Sequence, residues 1–150
     1  IDLWAGREAR LLRQVTVGAI MNRECETIAE SMSIRHLKEK IRHTKGENYL
    51  VLDDDGGLKG IISFQDIKGV AFEEDIEDLV LVRDIATRQL ITVTPSDTLF
   101  TAFRRMGNGN IEQLPVVSEN DPSEVLGVIT NNDVIAAYNK ALMEREAERA

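Results

Sequence analysis

Two short motifs place a hydroxyl and a carboxylate three residues apart, directly after an apolar run. They are Ser63-x-x-Asp66 and Thr130-x-x-Asp133. Ser and Thr are favoured at the N-cap of a helix, and an acid in the first turn complements the helix dipole. Taken one at a time, each motif therefore favours a helix cap over a ligand-binding site.

Few other side chains carry chemistry. His36 and His43 stand on one predicted helix, without the Cys or carboxylate spacing of a metal site. They do not make a catalytic centre with a serine or with Cys25, which we interpret as a small buried apolar residue. We therefore expect no enzyme and no metal site.

Composition bounds the class of protein. The 150 residues are 43% hydrophobic and 29% charged, as in an ordinary soluble globular protein. A net charge of −8 disfavours a nucleic-acid partner, because phosphate binding needs clustered Lys and Arg. The sequence has no run of 18 or more apolar residues, so it predicts no membrane span. The single Cys favours a reducing compartment, and the absence of an initial Met indicates a piece of a longer protein.

The two motifs belong to a longer internal repeat. Gly60–Ile67 and Gly127–Val134 share a Gly, two aliphatic residues, the hydroxyl, the Asp and a final aliphatic residue. Upstream residues match at an offset of 65, for example Val17 with Val82, and the offset grows to 67 across one turn. Loops tolerate such insertions. The sequence therefore predicts two homologous halves.

Each half predicts the element order β-α-β-β-α. The first half has a strand at Cys25–Ala29, a helix at Ser33–His43, strands at Tyr49–Leu52 and Leu58–Ile62 joined by an acidic hairpin turn, and a helix from Phe64 to about Phe72. A charged helix at Ile1–Gln14 precedes them.

The second half repeats this order. Its first strand is expected near Ile91–Thr94, and its first helix opens at Pro95-Ser96-Asp97 and closes at Gly107–Asn110, whose composition suits left-handed backbone. The final helix carries one apolar face, formed by Val134, Ile135, Tyr138, Ala141 and Leu142.

Two tandem units of this kind, each ending Gly-aliphatic-aliphatic-Ser/Thr-x-x-Asp, resemble a pair of CBS domains, named after cystathionine β-synthase. The run Leu114–Val117 also resembles a strand usual in that family. The resemblance covers Val15 to about Asn139 and implies an α/β (α+β) fold. In that fold, two repeats pack sheet against sheet as one pseudo-two-fold module.

The resemblance also implies a regulatory, non-enzymatic function, with ATP, ADP or AMP bound in the clefts. In that family the motif Asp contacts the ribose hydroxyls and the Ser or Thr lies beside the phosphates. These roles fall here on Asp133 with Thr130 and on Asp66 with Ser63, while Thr92 and Thr94 supply polar contacts to the second cleft. The second cleft is the better candidate, because Glu30 replaces Pro95 in the first and would repel a phosphate.

The flanks resemble the cytoplasmic tail of a prokaryotic ClC-type chloride channel or transporter. The residues concerned are Glu8–Leu12, Val15–Met21 and Ala137–Leu142. This implies a cytoplasmic module at the inner (plasma) membrane, joined to its own transmembrane chloride transport domain and paired as a homodimer. The implied boundaries are 1–14 connector, 15–72 first repeat, 73–81 acidic linker, 82–139 second repeat and 140–150 helix extension.

Two alternatives stay open. A ligand-free structural module would hold two subunits together through its helices and would not respond to nucleotides. The same pair on another host, a magnesium transporter or a metabolic enzyme, would keep its ligand and change what it regulates.

Overall fold

The computed structural model describes residues 6–43, 48–69, 76–109 and 111–149. Within them the elements are α1 (Gly6–Arg13), α2 (Val17–Ile20), β1 (Thr27–Ala29), α3 (Ile34–Ile41), β2 (Asn48–Leu52), β3 (Leu58–Ser63), α4 (Phe64–Lys68), α5 (Val82–Ile85), α6 (Leu99–Gly109), β4 (Gln113–Val117), β5 (Val125–Thr130) and α7 (Asn131–Arg149). The predictions for residues 1–5, 70–75 and 110 fall outside the described residues. None of the described helices combines the length and apolarity needed to cross a bilayer.

The chain divides into two compact units. The repeat-1 unit comprises the described parts of Cys25–Leu90 with Pro122–Glu124. The repeat-2 unit comprises the described parts of Ile1–Glu24, Ile91–Asp121 and Val125–Ala150. Each unit therefore contains one repeat together with a segment from elsewhere in the chain.

The repeat-1 unit is built on a three-stranded sheet in the order β1-β2-β3, with β1 parallel to β2 and β2 antiparallel to β3. The turn between β2 and β3 confirms the predicted hairpin. Asp53 Oδ1 accepts hydrogen bonds from the N–H groups of Asp55 and Gly57 at 2.9 and 2.8 Å, and Gly56 takes φ +83°. One face of the sheet and α3 share an apolar core: Ile28, Ile34, Leu37, Tyr49, Val51, Ile62, Ile67 and Val82.

Among its described residues, the repeat-2 unit has two strands, β4 and β5, paired antiparallel. The strand predicted near Ile91–Thr94 is reduced to a single parallel bridge between Val93 and Val116. Val93 donates to the carbonyl of Pro115 at 3.1 Å and accepts from Val117 at 2.9 Å. The prediction of a full strand was therefore wrong.

Two prolines explain the missing strand. In the repeat-1 unit, Leu50 N–H donates to the carbonyl of Glu26 at 3.1 Å and Glu30 N–H donates to that of Leu52 at 2.8 Å, one bond at each end of β1. The repeat equivalents of Leu50 and Glu30 are Pro115 and Pro95. Proline has no backbone N–H, so neither bond can form in the second repeat.

The first helix of the second repeat also differs from expectation. It starts at Leu99, after Thr98 Oγ1 accepts from Thr101 N–H at 3.2 Å, and it runs through Gly107 to Gly109. Neither glycine adopts a positive φ. A Cβ on Gly109 would lie 2.8 Å from Cδ1 of Ile91, so glycine there permits close packing rather than a left-handed turn.

The final helix, α7, confirms part of the predicted apolar face. Val134 and Ala137 are buried in the core of the repeat-2 unit, and Tyr138 packs against it. Ile135, however, is 43% exposed. It lies one position from Val134, and adjacent helical residues point about 100° apart, so both cannot face the same core.

Lead-in segments are exchanged between the repeats. In the repeat-2 unit, Val17 N–H donates to the carbonyl of Asp97 at 2.8 Å, and Leu99 N–H donates to that of Val15 at 2.9 Å. The equivalent bonds of the repeat-1 unit run from Val82 to Met32 at 2.8 Å and from Ile34 to Val80 at 2.9 Å. Each lead-in helix, α2 or α5, therefore fixes the start of the other repeat's first helix.

The repeated glycine of the octet has a packing role in both units. The residue after it forms an antiparallel bridge, Ile61 with Thr87 and Val128 with Asn22. A Cβ on Gly60 would lie 2.8 Å from Thr87 O, and one on Gly127 would lie 2.4 Å from Asn22 O. Only glycine fits beside these bridges.

Candidate functional site

Both Ser/Thr-x-x-Asp motifs form capping boxes at a strand-to-helix junction. Thr130 N–H donates to Asp133 Oδ2 at 2.9 Å, and Asp133 N–H donates to Thr130 Oγ1 at 3.1 Å. Ser63 and Asp66 make the same pair of bonds at 2.9 and 3.2 Å. The capping interpretation is confirmed. Oδ2 of each Asp is anchored by this cap, and Oδ1 has no partner among the described residues. Oδ1 is therefore the oxygen that can accept a hydrogen bond from a ligand hydroxyl.

Thr92 and Thr94 lie on the segment that carries the Val93 bridge. Thr92 contributes its carbonyl, which accepts from Arg105 Nη1 at 2.7 Å. Thr94 N–H donates to Asp97 Oδ2 at 2.8 Å, and its hydroxyl lies 3.4 Å from Ser96 Oγ. Lys40 Nζ repeats the first contact in the other unit, on Thr27 O at 3.0 Å. These hydrogen bonds hold the segment that contains Thr92 and Thr94 in its local conformation.

The structure does not join the threonines of this segment to the capping box of α7. Val93 pairs with Val116 of β4, and Val116 pairs in turn with Gly127 of β5. Strand β4 therefore lies between the two sets, which are offset by two strand spacings, about 9.5 Å, across the sheet and are also displaced along it. A ligand that touches both sets must extend across β4.

A pocket of about 210 Å³ lies where α6 ends, β4 begins and α7 starts. It is lined by Phe103, Met106, Gly107, Ile111, Glu112 and Asn131. None of the six predicted site residues lines it, but Asn131 directly follows Thr130, and Asn131 N–H donates to the carbonyl of Glu112 at 2.9 Å. The pocket therefore adjoins the capping box of α7.

Sequence reasoning missed this pocket. Phe103 and Met106 lie on the apolar face of α6, and the helical periodicity of apolar residues does not distinguish a core from a pocket wall. One signal was present: Glu112 has a Glu at the equivalent position of the first repeat, Glu47. A charged residue at the same position of both repeats, directly before a buried strand, is not needed for packing and therefore indicates a candidate ligand contact.

The lining differs between the repeats. The equivalents of Phe103, Met106 and Ile111 in the first repeat are Lys38, Ile41 and Gly46, so two of the three apolar side chains are replaced. Asn131 is replaced by Phe64. Lys38 forms a close ion pair with the buried carboxylate of Glu77. The two capping boxes thus have different surroundings, and the pocket beside α7 is the better candidate for an apolar ligand group.

Two titratable groups outside these motifs have shifted pKa values. Burial, reinforced by the Glu26 carboxylate, raises the pKa of the half-buried Cys25 thiol, which keeps it protonated near neutral pH. The Gly57 N–H, followed by the other contacts of the hairpin turn, lowers the pKa of Asp53. Both shifts accompany local structure rather than the pocket.

Comparison with known proteins now adds to this geometry. The CBS domain family model matches residues 17–73 and 82–140. Homoserine O-acetyltransferase of Methanosalsum zhilinae is 34% identical over 125 residues, which cover 82% of this chain and 24% of that protein. This chain thus spans about a quarter of the length of that relative.

Solved structures share the fold. CBSX2 in complex with AMP superposes with a TM-score of 0.72 at 26% identity, covering 84% of this chain and 97% of that one. The CBS domain pair of MJ0100, solved with 5′-methylthioadenosine and S-adenosyl-L-methionine, gives a TM-score of 0.69 at 24% identity with the same coverage. The repeat, its element order and the family match agree: this chain belongs to the CBS domain family and contains a tandem pair of its domains.

Proposed function

We propose that this chain is a regulatory CBS pair that binds an adenosine compound and transmits occupancy to a host domain. The observation that carries the proposal is the anchored Asp of each capping box. One oxygen of Asp133 is held by Thr130 N–H, so the carboxylate is pre-positioned, and its other oxygen has no donor among the residues that the structure describes. A carboxylate fixed in this way binds a sugar hydroxyl without first losing rotamer freedom.

Occupancy must be coupled to a change in the pair. A ligand shifts a conformational equilibrium only by its difference in affinity for the two states. In this proposal, the ligand beside α7 favours one packing of the segment that carries Val93, because Thr92, Thr94 and the capping box lie on opposite sides of β4. The bound state would then differ from the free state in how that segment is held.

The host remains a proposal, with two observations to weigh. The flanking motifs favour a chloride transport domain. The 34% identity with an acetyltransferase favours a metabolic enzyme as host. That relative is much longer than this chain, which covers 24% of it. We place the enzyme first, because it rests on 125 aligned residues rather than on short flanks. Full-length protein assayed for homoserine acetylation and, in liposomes, for chloride flux would decide between them. A magnesium transporter would show neither activity.

The rival function is a ligand-free dimerisation module. Ile135 and Met143 lie on α7 with 43% and 69% of their surfaces exposed, and a second copy of the chain would cover them. The predicted homodimer rests on this surface. A homodimer can also bind a ligand, so dimerisation alone does not distinguish the regulatory module from the ligand-free module.

A thermal unfolding series separates them. The 150-residue chain is unfolded with and without millimolar adenosine, AMP, ADP and ATP, as wild type, Asp133→Ala and Asp133→Asn. Ligand at 100 times its dissociation constant adds about 2.7 kcal/mol to the free energy of unfolding. Asp133→Ala should abolish that gain. Asp133→Asn retains an oxygen for Thr130 N–H and should lose affinity without losing the cap.

The matched control is Asp84→Ala. Asp84 Oδ2 accepts from Leu81 N–H at 2.9 Å, the same capping bond at the start of α5 but outside either motif. This variant should lose about 1 kcal/mol of stability and keep its ligand response. No response of the wild type to any of the four compounds would support the dimerisation module.

A further inference from the structure

Three backbone donors at the start of α7 are already bonded to protein acceptors. Thr130 N–H donates to Asp133 Oδ2, Asn131 N–H to the carbonyl of Glu112, and Asp133 N–H to Thr130 Oγ1, at 2.9, 2.9 and 3.1 Å. A phosphate at a helix N-terminus is held by such N–H groups. A phosphate at this junction would therefore have to displace a protein acceptor from each of these three N–H groups.

The charge around the pocket also opposes an anion. Asp133 stands in the first turn of α7, and Glu112 lines the pocket itself. Of the described residues that line the pocket, none is Lys or Arg. Arg105, at the other side of β4, is occupied by Thr92 O at 2.7 Å and by Asp97 Oδ2 at 3.6 Å. A phosphate here would meet carboxylates rather than cations.

The apolar part of the pocket suits a group without charge. Phe103, Met106 and Ile111 supply aromatic, thioether and aliphatic surface next to the Glu112 carboxylate and the Asn131 amide. Such a lining binds a flat or apolar group and adds a small number of polar contacts. Glu112 is exposed, and its carboxylate would attract a cation and be indifferent to a neutral ligand.

We infer that the ligand of the repeat-2 unit is an adenosine compound without phosphate, either neutral, as adenosine or a 5′-thioether of adenosine, or cationic, as a sulfonium derivative. Glu112 is the residue that determines this specificity. The inference rests on the proposed function, and it narrows the ligand class. The Glu at the equivalent position of the first repeat, Glu47, lies outside the described residues and extends the pattern in sequence only.

Isothermal titration of the whole chain tests the inference. Adenosine, 5′-methylthioadenosine and S-adenosylmethionine are compared with AMP and ATP, on wild type, Glu112→Gln and Glu144→Gln. Wild type should bind the three compounds without phosphate more tightly than AMP or ATP. Removing one charge 4 Å from a phosphate in water changes affinity about fivefold for each phosphate charge. Glu112→Gln should therefore tighten AMP binding about fivefold or more and leave adenosine unchanged.

The control removes the same charge elsewhere. Glu144 is exposed near the end of α7, beyond the pocket, so Glu144→Gln should alter none of the affinities. AMP or ATP binding more tightly than adenosine to wild type, with no change in Glu112→Gln, would overturn this inference and leave the proposed function standing. Failure of all five compounds to bind would overturn both.

Discussion

At the scale of single residues, one pair of equivalent positions is charged in the first repeat and apolar in the second. Glu77 is 4% exposed, and its carboxylate is held by Lys38 and, at 3.8 Å, by Arg35 Nη1. The repeat equivalents of Glu77 and Lys38 are Leu12 and Phe103, which belong to one apolar cluster in the repeat-2 unit. An ion pair in one unit thus stands where an apolar pair stands in the other.

Replacing the ion pair of the first repeat by the apolar residues of the second gives a prediction at this scale. Lys38→Phe alone leaves the buried Glu77 carboxylate with the more distant Arg35 as its remaining ion-pair partner among the described residues. We expect a loss of about 2 kcal/mol, which is below the usual value of about 3–5 kcal/mol for a broken buried pair because Lys38 is 31% exposed. Lys38→Phe with Glu77→Leu should return to within about 1 kcal/mol of wild type, since apolar replacements of buried ion pairs are often neutral. Urea unfolding measures both.

A double variant as unstable as the sum of its two single changes would contradict that expectation. It would mean that Glu77 and Lys38 act independently. The control is the pair Glu39→Leu and Arg42→Leu, at the end of the same helix and directly after it. This exposed ion pair at 3.2 Å should cost at most about 0.5 kcal/mol to remove.

At the scale of elements, periodicity and repeat identified most of the fold. The hairpin of β2 and β3, the amphipathic α3 and the two junction helices α4 and α7 follow from local pattern and turn chemistry. The missing strand at Ile91–Thr94 does not, because its loss depends on Pro115 of β4 as well as on the adjacent Pro95. A strand's existence is decided by its partner, and single-strand propensity does not include that term.

The candidate site divides along the same line. The capping boxes involve residues three apart, so sequence alone located Thr130, Asp133, Ser63 and Asp66. The pocket is assembled from the ends of three elements that are distant in the chain. Local reasoning finds the first kind of feature and overlooks the second.

Proline provides a prediction at the element scale. Glu30→Pro removes the bond from Glu30 N–H to the carbonyl of Leu52 and copies the Pro95 of the second repeat. We expect a loss of about 1 kcal/mol relative to Glu30→Ala, the net value of one backbone hydrogen bond, together with faster amide exchange in β1. Equal stability of the two variants, with unchanged exchange in β1, would show that this bond does not hold the strand.

At the scale of the whole molecule, the exchanged lead-in segments make each unit depend on both halves of the chain. The core of the repeat-2 unit includes Ala9 and Leu12, from the segment that precedes the first repeat, and Val17, from the start of that repeat. The core of the repeat-1 unit includes Val82, from the start of the second repeat. Neither repeat therefore contains all the residues of its own unit.

This dependence predicts that the halves fold only together. A fragment of residues 1–73 lacks α5 and the Glu77 contacts to α3, and a fragment of residues 74–150 lacks α1 and α2. Removing several buried apolar residues at about 1.5–3 kcal/mol each exceeds the stability of a small domain. Circular dichroism should show each fragment largely unfolded and their equimolar mixture folded. A cooperative thermal transition of either fragment alone would show that a unit does not need the exchanged segment. The intact chain, cleaved at a protease site inserted between residues 73 and 74, should remain folded, because cleavage there removes no segment from either unit.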